Sequence, residues 1–344
     1  MRVVKPYVKY VRNEDNIEHI VKAAKICYAS QMNTVDALTF IENLWKNKGH
    51  RSPFRHGTVY LEIPASFERL TNLFVNNAFC TCVFIPLEYS WFISTNFQVI
   101  RELDNKIFKT ISNFSVSEEY VLSQAKKYPE LKNIIRVSFE IQTQVSTSRE
   151  LNRVSPNNIC EQSTRYCNFS KEKFGGHIAF CEPHWLDATT YYNTALNKEI
   201  AADERIFYKN YTDENKYEIF AEVGSADLQL LKLYPLATIG IPQDDGSSLC
   251  YSTTIAKMWI ENCLEDEEKY FKAIKDGMKP QDARGYLNLD VATKLFYTYS
   301  VKEWKHILDL RYKGTTGKPH PNAKIVAEKI YHHLKYLDLL DNYE

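Results

Sequence analysis

Strand-like and helix-like patterns occur in separate blocks along this chain, and that order constrains the fold more than any other feature. Residues 58–63 and 134–141 are rich in β-branched and aromatic residues, which predicts β-strands. Over residues 253–340 apolar residues recur at helical spacing, with breaks near Pro280 and residues 314–317. Separate runs of strands and helices, rather than alternating βαβ units, predict an α+β fold with a helical carboxyl-terminal half.

Further local patterns complete the predicted order of elements. Residues 16–29 and 36–45 have amphipathic helical spacing, the second with Asp36 as its N-terminal cap. Residues 91–103 are predicted to be helical, and residues 183–250, which carry several prolines and a turn signal, to be irregular. Neither a G-x-G-x-x-G nor a G-x4-G-K-[ST] loop occurs, so a nucleotide would not bind on a dinucleotide-binding fold or a P-loop.

The composition indicates a globular protein with small rather than polymeric ligands. The 344 residues, 44% of them hydrophobic, suffice for a large core. Lys+Arg and Asp+Glu are equal at 43 each, so the overall positive field that binds long nucleic acids is missing. No segment approaches the roughly 20 apolar residues that cross a bilayer, and we expect a cytoplasmic protein. The eight cysteines form no paired framework, so we expect reduced thiols and no metal site.

The densest polar segment spans residues 148–166. Three arginines, two carboxylates and several hydroxyl and amide side chains occur there with few apolar residues between them. Arginine offers a planar fork to phosphate oxygens, and Ser163 and Thr164 can add short hydrogen bonds. The segment is suited to binding a phosphate together with a polar ring, and a solvated loop with local ion pairs is the alternative interpretation.

Motifs in four segments follow one another along the chain. Residues 25–30 contain C-Y-x-S, and residues 49–56 read G-H-x-S-P-x-R-H. Residues 153–166 begin with arginine and end in E-x-S-x-R-Y, while residues 279–284 and 303–311 contain P-x2-A-R and W-x2-I-x2-L-R. In this order they resemble the motifs of the flavin-dependent thymidylate synthase family, whose signature is R-H-R-x2-S-x-N-E-x-S-x-R-Y.

The resemblance implies a fold, a reaction and a set of site residues. The fold would be an α+β homotetramer with a mixed sheet and active sites between subunits, a single domain over residues 1–344 with insertions near residues 65–130 and 185–250. The reaction would transfer carbon from methylenetetrahydrofolate to dUMP, with hydride from FAD and re-reduction of the flavin by NADPH.

Position by position, the resemblance assigns two groups of residues. The nucleotide would contact Glu161, Ser163, Thr164, Arg165, Arg284 and Arg311, of which the last two would also be catalytic. The flavin would contact His50, Ser52 and Arg153. The resemblance also predicts that Arg165, Arg284 and Arg311 converge on one monophosphate.

Departures from the signature leave other hypotheses open. Val154 and Ser155 stand where the signature has histidine and arginine, Asn158 where it has serine, and Arg55 replaces the glutamate of the G-H turn. One alternative is a paralogue that acts on another pyrimidine nucleotide, and another is a non-catalytic nucleotide-binding homologue without FAD. A nucleophilic Cys160, which would allow pyrimidine chemistry without flavin, is a third.

Overall fold

The computed structural model describes residues 1–28, 36–165, 167–171, 176–186, 253–341 and 343, and between 187 and 252 only the strands given below. The chain forms two compact units. The first unit comprises residues 1–6, 142–149 and 163–293, and the second comprises residues 7–141, 150–162 and 294–344. Among the described helices, none has the length and hydropathy needed to cross a membrane. The single domain with two insertions stays a prediction.

The elements alternate between strands and helices over much of the chain. The strands are β1 (Arg2–Val4), β2 (Tyr7–Tyr10), β3 (Thr58–Pro64), β4 (Thr81–Ile85), β5 (Ser90–Asn96), β6 (Ser115–Val116), β7 (Arg136–Gln144), β8 (Ile159–Glu161), β9 (Ala179–Cys181), β10 (Tyr192–Asn193), β11 (Lys198–Glu199), β12 (Glu204–Tyr211), β13 (Tyr217–Val223), β14 (Leu230–Lys232), β15 (Ile239–Pro242), β16 (Ser248–Tyr251) and β17 (Ala292–Ser300). The helices are α1 (Asn16–Tyr28), α2 (Ala37–Lys46), α3 (Glu68–Val75), α4 (Phe97–Glu102), α5 (Asn105–Ile111), α6 (Glu118–Ala125), α7 (Val145–Leu151), α8 (Thr253–Lys275), α9 (Pro280–Ala283), α10 (Val301–Leu308) and α11 (Pro321–Tyr336).

The second unit is built on two sheets with the strand orders β2-β7-β17-β8 and β4-β5-β3-β6. Its main core packs side chains of β7 and β17 against α10 and α11. Trp304 of α10 is buried at the centre, where its ring lies edge-on to Phe139 and Tyr299 and its indole nitrogen donates to the carbonyl of Val137 at 3.0 Å. Because the indole N–H is paired, this large aromatic ring is buried without an unsatisfied donor.

The first unit contains a sheet with the strand order β14-β13-β12-β1-β9. Strand β1 pairs parallel with β9 and antiparallel with β12, so the sheet is mixed. The same unit holds the long helix α8. Helices and a mixed sheet together confirm the predicted α+β class.

The two helices predicted near the start of the sequence are confirmed as α1 and α2. The side chain of Asp36 accepts a hydrogen bond from the backbone N–H of Thr39 at 3.0 Å, so it caps α2 as predicted. The apolar face of α1 buries Ile20 and Ala24 against Ile41 and Leu44 of α2. The helical spacing of these residues is thus explained by one shared core.

The helix predicted over residues 91–103 is wrong for its first half. Residues up to Asn96 belong to β5, which pairs with both β3 and β4, and α4 starts only at Phe97. A strand with two neighbours and both faces covered shows no alternation of apolar and polar residues, so the period that identifies a strand is missing. The Asn96 side chain then caps α4 by accepting from the N–H of Val99 at 3.1 Å.

Two further predictions need correction. Residues 183–250 are not irregular throughout, because β12 and β13 pair as antiparallel neighbours from Arg205 to Tyr211 and β14 pairs with β13. The helical region predicted from residue 253 onward is interrupted by β17, which lies between β7 and β8 in its sheet. Both regions contain runs of aromatic and β-branched residues, which favour strands once a neighbouring strand is available.

A π-helical turn, Asp309–Lys313, follows α10 directly and contains Arg311. It ends at Gly314, whose φ of 75° lies in the left-handed region. A Cβ at this position would lie 2.9 Å from the carbonyl oxygen of Gly317 and 2.9 Å from Cδ of Pro319. Only glycine fits this exit from the turn, for reasons of backbone conformation and of space.

A Gly314→Ala variant should therefore lose about 1–3 kcal/mol of unfolding free energy, the usual cost of a strained left-handed residue. Urea denaturation followed by circular dichroism measures the change. Gly285→Ala is the matched control, since a Cβ at Gly285 meets nothing within 4 Å, and it should not lower the midpoint. Equal midpoints for the two variants would contradict the assignment.

Candidate functional site

Two sequence segments that carry predicted nucleotide-binding residues meet in the first unit. Pro280 begins α9, and the chain then makes a short 3₁₀ turn, Arg284–Tyr286. Nη1 of Arg284 donates to Oγ1 of Thr164 at 3.1 Å. The backbone N–H of Arg165 donates to Oγ of Ser163 at 3.3 Å, which folds the segment into a tight polar turn.

The group formed by Ser163, Thr164, Arg165 and Arg284 is accessible to a ligand. Both arginines are exposed and the two hydroxyl residues are partly exposed. Two guanidinium groups, two hydroxyls and turn backbone N–H groups are the donors that bind phosphate oxygens in proteins. The group is therefore chemically suited to an anionic ligand.

A second polar group lies in the second unit, around Glu150. Nε of Arg311 donates to the backbone carbonyl of Glu150 at 2.7 Å, and its Nη2 lies 2.9 Å from Oε2 of the same residue. The Arg311 side chain is only 12% exposed, so its guanidinium is fixed by this two-point contact. Burial lowers the pKa of Arg311, and the Glu150 carboxylate opposes that shift.

Arg153 contacts the same two oxygens of Glu150. Its Nη2 lies 3.5 Å from Oε2 of Glu150, and its Nε donates to the Glu150 carbonyl at 3.3 Å. A predicted nucleotide residue, Arg311, and a predicted flavin residue, Arg153, therefore share one anionic partner. Sequence reasoning assigned no role to Glu150, although its position within the polar segment was the available signal.

The segment between Arg153 and Glu161 is held by contacts from distant residues. The Tyr297 hydroxyl donates to Oδ1 of Asn152 at 2.7 Å, and the backbone N–H of Thr298 donates to the Asn158 carbonyl at 3.2 Å. Nη1 of Arg55 donates to the Asn157 carbonyl at 2.8 Å. These bonds hold the segment between Arg153 and Glu161, which departs from the signature, against β17 and the G-H turn.

Arg55, the residue that departs from the G-H turn motif, has its own set of partners. Its Nε donates to Oε1 of Gln98 at 2.8 Å, and its guanidinium lies 4.7 Å from the ring centroid of Phe79. A glutamate could neither donate to Asn157 nor stack in this way. The charge reversal noted in the sequence therefore creates a structural contact with the signature segment.

Glu161 ends β8, where it pairs with Leu295 of β17, and its side chain is partly exposed. Cys160 precedes Glu161 in the sequence, and its thiol contacts the thiol of Cys27. The backbone of Glu161 also hydrogen-bonds to Cys27. The Cys160 contact lowers the pKa of Cys27, whereas the same contact and burial raise the pKa of Cys160 well above its usual range. Cys160 is therefore a poor nucleophile, which argues against that alternative.

The more reactive thiol of this pair should be Cys27. Iodoacetamide at neutral pH should modify Cys27 before Cys80 and Cys82, because burial raises the pKa of those two to about 11 and about 12. Peptide mass spectrometry after limited labelling measures the order, with Cys27→Ser as the control. Labelling of Cys160 ahead of Cys27 would show that this account of the pair is wrong.

The residues that the resemblance assigns to a flavin all lie in the second unit. His50 and Ser52 are exposed at the start of the turn Ser52–His56, and Arg153 is exposed beside Glu150. Val154, at the position of the signature histidine, is 8% exposed and packs into the main core, so it offers no donor. An imidazole, a hydroxyl and a guanidinium remain, which fit a phosphate-bearing cofactor with fewer contacts than the full signature provides.

Some motif positions lie outside the described residues. These are residues 29–30 of the C-Y-x-S element and Tyr166 of the signature segment. The predicted convergence of Arg165, Arg284 and Arg311 on one monophosphate stays a prediction.

A family model described as Thymidylate synthase complementing protein matches residues 119–337, well over half of the chain. The chain belongs to this family. The family recognised from the motifs is thereby confirmed. The matched range includes the signature segment and both late arginine motifs, whereas the C-Y-x-S element and the G-H turn precede it.

Two similar proteins share little sequence with this chain. A flavin-dependent thymidylate synthase from Synechocystis sp. is 26% identical over 88 residues, which cover 26% of this chain and 39% of that protein. The chain thus matches about two fifths of the length of this curated relative. A UMP/dUMP methylase, PolB from Streptomyces cacaoi, was solved with 5-Br UMP and with 5-Br dUMP. With the first ligand it is 15% identical, covers 97% of this chain and 92% of its own, and has a TM-score of 0.38. With the second ligand it is 14% identical, covers 98% of this chain and 93% of its own, and has a TM-score of 0.39.

Proposed function

We propose that this protein is a flavin-dependent methyltransferase that converts dUMP to dTMP, with methylenetetrahydrofolate as carbon donor and NADPH as reductant. Family membership supports the reaction class. The observation that carries the proposal is the hydrogen bond between Arg284 and Thr164, because it joins two motif segments that the family resemblance assigns to one nucleotide. The protein would act as a homotetramer.

In this proposal the first polar group binds the phosphate. Ser163, Thr164, Arg165 and Arg284 offer hydroxyl, backbone and guanidinium donors, and a monophosphate dianion needs several such contacts at once. The Thr164 contact already orients the Arg284 guanidinium. A pre-oriented donor loses less side-chain freedom when the ligand binds, so the contact favours affinity.

Arg311 would join Arg165 and Arg284 at the monophosphate, and as a catalytic residue it would also act on the uracil ring. C5 must become nucleophilic before it can bond to the folate-borne carbon, which builds up negative charge on the ring, and a fixed cation at that place stabilises the charge more than mobile water does. The two bonds to Glu150 fix Arg311, and its low exposure strengthens its electrostatic effect. Glu161, at the end of β8, would contact the same nucleotide.

His50, Ser52 and Arg153 would hold the flavin, which supplies hydride when bound. The overall change forms a bond between the folate-borne carbon and C5 and breaks both bonds of that carbon to folate nitrogens. The C5 proton is released, hydride completes the methyl group, and each freed nitrogen takes up a proton. With two donors of the signature missing, each charge-assisted contact being about 1.5–3 kcal/mol, we expect weaker flavin binding than a complete motif gives.

The test combines binding and turnover on the purified protein. A thermal-shift panel of dUMP, UMP, dCMP and dTMP should give its largest shift with dUMP. Added FAD should give visible absorption in the protein fraction after gel filtration, and dTMP should form with dUMP, methylenetetrahydrofolate and NADPH present. A larger shift with UMP or dCMP would favour the paralogue, and nucleotide binding without FAD binding would favour the non-catalytic homologue. No shift with any pyrimidine nucleotide would overturn the proposal.

A further inference from the structure

Tyr343 contacts both ends of the π-helical turn that carries Arg311. Its hydroxyl donates to Oδ1 of Asp309, the first residue of the turn, at 2.8 Å. Nζ of Lys313, the last residue of the turn, lies 3.7 Å from the centroid of the Tyr343 ring. Nζ of Lys313 also lies 4.0 Å from Oδ1 of Asp309. One tyrosine thus joins the two ends of the turn through a hydrogen bond and a cation–π contact.

The middle of the turn is held by a second aromatic contact. Tyr312, which follows Arg311 directly, stacks on Tyr331 of α11 with a centroid distance of 4.8 Å and an interplanar angle of 18°. Tyr331 in turn lies 6.3 Å from Tyr343. We call Tyr312, Tyr331 and Tyr343 the tyrosine clamp.

The turn needs such support because π-helical hydrogen bonding is rare and occurs mostly as single turns within helices. Without it, the backbone after α10 could return to α-helical spacing, and the direction of the Arg311 side chain would change. The two bonds from Arg311 to Glu150, at 2.7 and 2.9 Å, tolerate little change of direction.

We propose that Tyr343 is a positioning residue for Arg311, which it holds toward Glu150 by fixing the π-helical turn from both ends. The proposal rests on the proposed function of Arg311 in nucleotide binding. The Tyr343 hydroxyl accounts for the bond to Asp309 and the ring for the contact with Lys313, so the two contributions can be separated by substitution.

The experiment compares Tyr343→Phe and Tyr343→Leu with the unaltered protein. Tyr343→Phe removes the bond to Asp309 and the longer contact, 3.4 Å, with the Lys305 carbonyl, and it should weaken dUMP binding about fivefold. Tyr343→Leu also removes the ring contact and should weaken it by at least about tenfold. In an Asp309→Ala background, Tyr343→Phe should add less than about twofold, because only the longer contact of the hydroxyl with the Lys305 carbonyl, at 3.4 Å, remains to be lost. Calorimetry gives the Kd of dUMP. Hydrogen exchange of residues 309–315 in the protein without nucleotide measures how stably the turn is held.

Two control variants separate positioning from general destabilisation. Tyr336→Phe changes a tyrosine that is 89% exposed and should alter neither measurement. Ile330→Val weakens the buried core under α11 and should lower Tm while leaving the Kd unchanged. Unchanged Kd and exchange in Tyr343→Phe would overturn the proposal, as would an equal rise in Kd in Ile330→Val.

Failure of the proposed function is distinguishable from failure of this inference. If the unaltered protein binds no dUMP, the proposed function is wrong. The hydrogen exchange of residues 309–315 alone then tests whether Tyr343 fixes the turn. Faster exchange in Tyr343→Phe confined to that segment would then support the clamp, and exchange equal to that of the unaltered protein would overturn it.

Discussion

An Arg311→Ala variant should lose at least about 100-fold in kcat/KM for dUMP, the loss seen when a fixed donor to a charged transition state is removed. Arg311→Lys should lose at least about tenfold, because a lysine keeps the charge but not the planar fork that meets Glu150 at two points. Steady-state kinetics with saturating folate cofactor, NADPH and FAD measure both.

Arg149→Ala serves as the matched control for this prediction. Arg149 is exposed and adjacent to Glu150 in sequence, and its loss removes one positive charge, as the loss of Arg311 does. Its kcat/KM should stay within about twofold of the unaltered protein, since exposed charges interact weakly through water. If Arg149→Ala and Arg311→Ala lose activity equally, the effect of Arg311 is one of net charge, and its assigned role is wrong.

The free energy of unfolding should fall steeply as the pH drops from about 6.5 to about 4, because two histidines are buried in the second unit. Nε2 of His19 lies 2.8 Å from Oγ of Ser138, that oxygen lies 2.7 Å from Oγ1 of Thr298, and Nδ1 of His56 lies 2.9 Å from the same Oγ1. Nδ1 of His19 and Nε2 of His56 are buried without a hydrogen-bond partner among the described residues. A proton added to either ring would therefore have no acceptor.

The sign follows from the direction of both shifts. Burial lowers the pKa of His19 to about 4 and that of His56 well below 6.5, so the folded state binds fewer protons than the unfolded chain below pH 6.5. The contribution of the two histidines to the free energy of unfolding is fully present above pH 6.5 and is lost as the pH falls below that value. His19 alone contributes about 3 kcal/mol to the fall by pH 4.

Urea titrations at several pH values test this prediction. His19→Gln, which can still bond to Ser138, should flatten the pH dependence, because glutamine does not titrate. His332→Gln is the control, since the side chain of His332 is 65% exposed. Parallel curves for the unaltered protein and His19→Gln would rule out the buried histidine as the cause.

Local patterns predicted the elements whose residues face one core, and they failed for strands covered on both sides. Helices α1 and α2 and strand β3 were predicted from periodicity and an N-terminal cap. Strands β5 and β17 were predicted as helical, because a strand whose two faces are both covered shows no alternation of apolar and polar residues. The information that decides these strands lies in partners distant in sequence.

The same limit applies to the candidate site. The motifs identified the residues that carry the family resemblance, and the family is confirmed. The contact of Arg311 with Glu150, and that of Arg55 with Asn157, join residues more than 100 positions apart. No spacing rule reaches that far, so the partner that orients Arg311 was found only from the structure.

The division of the chain into interleaved segments limits how the protein can be taken apart. The backbone passes from one unit to the other after residues 6, 141, 149, 162 and 293, and the passage at 162 separates Glu161 from Ser163. Cleavage of any one peptide bond therefore releases neither unit as an intact fragment. Exchanging one unit for that of a relative would require several simultaneous splices, one of them within the signature itself.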